Sequence, residues 1–110
     1  VTADSIFDAP GYRAATSIVI SSPAALRGNP GLVAEAVRAM AAFRAELDAL
    51  RTDPANLLAV PEIEELAADP ALAGRLLGDP AFIRSLTIRT AVDMLESARR
   101  HLMAALLPAG

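Results

Sequence analysis

The chain has no cysteine, which excludes disulfides and thiolate metal sites and leaves the redox compartment open. It has no lysine either, so every basic residue except His101 is arginine. A GC-rich genome writes such a set, and guanidinium recognition of carboxylate or phosphate would also use it. Histidine occurs once, and Glu96 lies five residues before it rather than the three of a Glu-x-x-His di-iron pattern. His101 therefore reads as a helix-end cation or a half-buried side chain, and no metal is expected. Aromatics make up only 4% of the chain, leaving Phe7, Tyr12, Phe43 and Phe82 as the large core anchors.

No apolar run approaches the roughly 18 residues of a membrane span, and Ser17 to Ser21 is too short for the apolar core of a signal peptide. These absences favour a cytoplasmic protein without an integral membrane segment. No glycine-rich phosphate loop and no serine nucleophile elbow occur, and no histidine stands ready to activate the scattered Ser and Thr. No cofactor is expected and catalysis is disfavoured. A formal charge of −3 speaks against a nucleic-acid partner, which would select a basic field.

What is present is alanine, roughly a quarter of the residues against a much lower usual share. The apolar fraction is 54%, high for one small domain of 110 residues. Four pairs punctuate this composition: Asn29-Pro30, Asp53-Pro54, Asp69-Pro70 and Asp79-Pro80. Asn and Asp accept hydrogen bonds from the free N–H groups of a first helical turn. Proline fits the first helical position, where no N–H is needed. The four pairs therefore predict four helix starts and an all-α fold.

The first long helix is predicted over about 30–51. Its seam of Val33, Ala36, Met40, Phe43, Leu47 and Leu50 alternates spacings of three and four and needs a partner, inside the chain or in another copy. Short helices follow, with Glu62, Glu64 and Glu65 at the positive end of one dipole and Gly78 closing another. The last helix is predicted over about 80–107, with Ile83, Thr87, Ala91, Met94, Ala98 and Leu102 along one edge of its stripe and Ile88, Leu95 and Leu106 along the other. Residues 1–29 carry Pro10-Gly11, Ser21-Ser22-Pro23 and Gly28, and the β-branched run Thr16–Ile20 favours extension. They are expected to form an extended arm beside a helical domain over 30–110. The simplest fold is a small bundle of two long antiparallel helices with short helices closing one end.

From Ile63 to Leu86 the chain reads IEELAADPALAGRLLGDPAFIRSL. This stretch resembles the aspartate-proline domains of Hop-type co-chaperones. The resemblance rests on Asp69-Pro70 with Leu72, Leu76 and Leu77, then Asp79-Pro80 with Phe82, Ile83 and Leu86, ten residues on. It implies short helices packed into a cradle that holds apolar helical segments of clients.

Three functions are carried forward. The first is a non-catalytic interaction module, an accessory or assembly subunit that docks on a larger protein or on itself. Its candidate contact residues are Val33, Met40, Phe43 and Leu47 on the first seam, Leu72, Leu76, Phe82 and Leu86 in the cradle-like stretch, and Leu102 and Leu106 near the end of the last helix. The second is a small helical enzyme or anion-binding bundle using Arg38, Arg44, Arg51, Arg84 and Arg89. The third is the chaperone-like cradle itself.

Overall fold

The computed structural model describes residues 3–107, and all its regular elements are helical. A 3₁₀ segment Ala3–Asp8 leads into α1 (Pro10–Ile20), α2 (Pro23–Arg27) and α3 (Pro30–Leu50). A short 3₁₀ turn Pro54–Asn56 is followed by α4 (Ile63–Ala68), α5 (Pro70–Leu77) and the long α6 (Pro80–Leu106).

The Asx-Pro pairs work as predicted at three of four starts. The Asn29 side chain accepts from the Leu32 N–H at 3.3 Å, Asp53 from Ala55 at 3.0 Å and Asp79 from Ala81 at 3.0 Å. Asp69 makes no side-chain cap bond to α5, and its carboxylate instead meets Arg75 at 2.9 Å. Ser22 caps α2 in the same manner, accepting from Ala25 at 3.1 Å.

The expected extended arm over 1–29 is, over its described residues, mainly helical, and it supplies Ile6, Ala9, Ala15, Ile18 and Leu26 to the core. Two causes account for the difference. Proline opens α1 as it opens α2, α3, α5 and α6, but the preceding residue is Ala9, which has no side-chain acceptor to announce a helix. The β-branched run has no strand to pair with among the described residues, and its backbone groups are satisfied within a helix. Its residues then fall at helical spacing, burying Gly11, Ala15 and Ile18 on one face. Thr16 folds its hydroxyl back to the Tyr12 carbonyl at 3.0 Å.

The position of α1 sets the architecture. It meets both α3 and α6 far more extensively than those two meet each other, and so acts as a wedge between them. The long helices run antiparallel and touch directly where Arg44 reaches Glu96 at 3.0 Å and where Arg51 faces Arg89 and Val92 across a cleft. Elsewhere α1 fills the space. Gly11 permits this: a Cβ there would lie 2.7 Å from the Ala39 carbonyl oxygen and closer still to the Phe43 Cβ. Tyr12 completes the contact, with its ring edge-on to Phe43 at 6.4 Å between centroids and to Phe7 at 5.0 Å.

The core joins Ile6, Ala15 and Ile18 of the N-terminal segment to Phe43 and Leu47 of α3 and to Ile88, Ala91, Leu95, Ala98 and Leu102 of α6. Val33, Met40 and Leu50 are half-buried against it, so the seam of α3 finds its partner within the chain. Two polar ties hold the far end. His101 Nε2 lies 2.7 Å from the Ser21 carbonyl oxygen, and a carbonyl only accepts, so Nε2 carries the proton. Arg27 Nη1 donates to the Ala105 carbonyl at 3.0 Å, satisfying an end group of α6. The molecule is elongated, with extents of 48 × 31 × 19 Å.

Candidate functional site

The segment 53–79 between the long helices behaves unlike the rest. None of its residues, all of them described, is buried. It adds nothing to the main core, yet it is folded and attached. Ser85 makes the attachment, and it is the one buried polar side chain among the described residues. Its hydroxyl accepts from the Leu58 N–H at 3.2 Å and has two carbonyls to donate to, Ala81 at 3.0 Å and Ala55 at 3.2 Å. One side chain thus clips the turn Pro54–Asn56 and its exit onto α6.

Beyond this clip α4 and α5 fold over the first turns of α6 and leave an apolar cleft of about 200 Å³. Val60, Pro61, Leu66, Ala73, Leu76 and Leu77 line its upper walls, and Phe82 and Leu86 its floor. Phe82 is 6% exposed but stands apart from the main core, anchoring this second apolar group. The amphipathic face of α5 creates the cleft, since Ala73, Leu76 and Leu77 follow at i, i+3 and i+4. Empty apolar cavities of about 150 Å³ take up benzene. This one is of similar size but opens to solvent.

Its rim is acidic. Glu62, Glu64 and Glu65 are exposed at the start of α4, and Asp69 and Asp79 flank α5. Residues 53–79 hold six carboxylates against Arg75, a formal −5, whereas the remaining residues hold nine arginines against seven carboxylates.

No family model, curated protein or solved structure matches this chain. The cleft must be read from its own chemistry.

The ten candidate contact residues divide by environment. Phe43, Leu47 and Leu102 are core residues, and Val33 and Met40 pack against the core. Phe43, Leu47 and Leu102 are buried within the chain, whereas Val33 and Met40 keep part of their surface exposed. Leu76, Phe82 and Leu86 come together in the cleft. Leu72 is half-buried on the same helix without lining it. Leu106 is 60% exposed near the end of α6. Sequence reasoning missed Val60, Pro61 and Leu66 as walls. Their signal was present as apolar residues on both sides of the Glu62–Glu65 run, but Pro61 reads first as a breaker.

The five arginines do not converge as a set. Arg38 and Arg84 are exposed. Arg44 bridges Glu96 and Asp48, and its guanidinium is held above its usual range chiefly by the hydrogen bond to Glu96, with partial desolvation pulling the other way. Only Arg51 and Arg89 share a cleft, of about 270 Å³, and Asp93 lines it with them. Arg89 faces that Asp93 at 3.9 Å. Among the described residues no group of three His, Asp or Glu side chains is placed to hold a metal ion, and no helix is long and apolar enough to cross a membrane.

Proposed function

We propose that the chain is a non-catalytic helical docking module whose cleft beneath α4 and α5 seats an apolar helical segment of a protein partner. One observation carries this reading. Residues 53–79 contribute no buried residue, yet together with the start of α6 they build a recess walled by apolar side chains. Ordering a residue costs about 1–2 kcal/mol of backbone entropy. A segment of this length that buries so little in the free protein gains most by covering its apolar face in a complex. The resemblance of residues 63–86 to aspartate-proline domains supports the same kind of occupant, because such cradles hold apolar helices.

The test is a titration with an amphipathic helical peptide carrying leucine at i, i+3, i+4 and i+7, followed by methyl chemical shifts. Shifts concentrated at Leu66, Leu76, Leu77 and Leu86, abolished by Ala73→Trp in a variant of unchanged helicity, are expected. Shifts scattered over the surface, or none, defeat the reading.

An anion-binding bundle remains the second reading, on the observation that Arg51 and Arg89 share a cleft. Asp93 stands in the same cleft and offsets half of their charge. Calorimetric titration with inorganic phosphate decides it, and heat that vanishes in Arg51→Ala is the required result.

A further inference from the structure

We infer that the occupant of the α4–α5 cleft is the C-terminal end of α6 from a second copy of this chain, so that copies associate head to tail. The inference rests on the cleft being a docking seat and adds what fills it. The end of α6 carries the chemistry the cleft lacks. Met103, Leu106 and Leu107 are 47%, 60% and 65% exposed. Arg99 lies on the same side, four residues before Met103, and Arg100 borders it, so the helix ends in an apolar stripe edged by guanidinium groups. Arg100 meets the Ser97 hydroxyl at 3.3 Å, and among the described residues neither arginine is paired with a carboxylate.

The segment that builds the cleft presents the reverse: apolar lining residues in a stretch that also carries Glu62, Glu64, Glu65, Asp69 and Asp79, all of them exposed. Apolar contact supplies the attraction, and opposite charge sets the orientation and rejects like-charged partners.

Geometry makes the contact intermolecular. Phe82 in the cleft floor and Leu106 in the stripe belong to one continuous helix. At about 1.5 Å per residue they stand roughly 36 Å apart. The stripe of α6 cannot reach the cleft of its own chain. Each copy therefore offers one seat and one plug at opposite ends, a heterologous contact that forms rings or open chains rather than a closed two-fold pair.

Sedimentation velocity over a concentration series, at low and high salt, reads this directly. Average mass should rise with concentration and fall with added salt. Leu77→Asp spoils the seat and Leu106→Asp the plug, both at exposed positions that leave the core untouched. Each variant alone should associate about tenfold more weakly, a change of about 1.4 kcal/mol. Mixed in equal amounts, the intact seat of one meets the intact plug of the other, and assembly should stop at a 1:1 dimer. A monomer at every concentration and salt overturns the inference, as does a mixture that recovers nothing. In either case the peptide titration above still reports whether the cleft seats an apolar helix, so the two failures are separable.

Discussion

Replacing Gly11 with alanine probes the wedge at its tightest point. Pro10-Gly11 and Pro30-Gly31 occupy the same first two positions of α1 and α3, so local helix effects of Gly→Ala are matched between them. Their tertiary settings are opposite. A methyl at position 31 meets nothing within 4 Å, whereas one at position 11 lies 2.7 Å from the Ala39 carbonyl oxygen and is driven into Phe43. Ordinary contact needs about 3.4–4 Å. Neither neighbour can give way, since Ala39 presents backbone and Phe43 is 2% exposed and held edge-on by Tyr12. The relief left is for α1 to back away from α3. A gap of about 0.5–1 Å already forfeits a quarter to a half of the dispersion energy at the contact. Overpacking costs about 1–3 kcal/mol, and with backbone as one partner the upper end applies. Alanine's better helix propensity returns at most about 1 kcal/mol. The expected net loss for Gly11→Ala is about 2 kcal/mol, against a gain of up to about 1 kcal/mol for Gly31→Ala. Urea unfolding followed by circular dichroism at equal m-values measures both. If the two variants move stability in the same direction, α1 does not approach α3 as described.

Three further expectations concern other joints of the fold. Ile18→Ala should cost about 2–4 kcal/mol in the same unfolding assay, because Ile18 is 1% exposed in the core; a cost near zero would return residues 1–29 to the status of an arm. Ser85→Ala removes the clip on the turn Pro54–Asn56, worth about 1 kcal/mol, and should speed hydrogen exchange at the Leu58 amide about fivefold while amides of α1 keep their protection. A double-mutant cycle on Arg44 and Glu96 should give a coupling of only about 0.5–1 kcal/mol that shrinks in high salt, since both side chains are some 40% exposed. The raised pKa of Arg44 contributes wherever the guanidinium is protonated in the unfolded chain, so it adds no pH dependence to that coupling around neutrality, and a step there would contradict the pairing.

The sequence made the starts of helices legible and their neighbours much less so. Asn29, Asp53 and Asp79 are caps in the structure because one residue supplies the acceptor and the next the fixed φ, a wholly local device. The seam of α3 was legible for a similar reason, its spacing being written in large side chains. The phase of α6 was only half legible. Its buried face runs Phe82, Ser85, Ile88, Ala91, Leu95, Ala98, Leu102 and Ala105, whereas Leu106 points out. Helices approach closely where side chains are small, and hydropathy marks large residues rather than close approach. Gly11 is the same lesson in α1: beside Pro10 it reads as a turn, and the Phe43 ring that explains it lies 32 positions away. The cleft was legible in Leu76, Phe82 and Leu86 and illegible in its clip, because nothing local distinguishes Ser85 from any other helix serine.

The wedge also orders events in time. Helix α1 is synthesised before α3 and α6, yet one of its two flanking surfaces belongs to α6, the later of the two. At about 5–20 residues per second, the chain from Ile20 to Leu106 takes roughly 4–17 s to emerge. From the emergence of α3 until α6 follows, α1 has α3 on one side and lacks α6 on the other. Helix–coil relaxation occupies about a microsecond, so α1 forms and dissolves many times before its second wall arrives. Closure of this fold is therefore set by the growing chain itself, and the nascent N-terminal helix spends that delay with its core face available to whatever else is near.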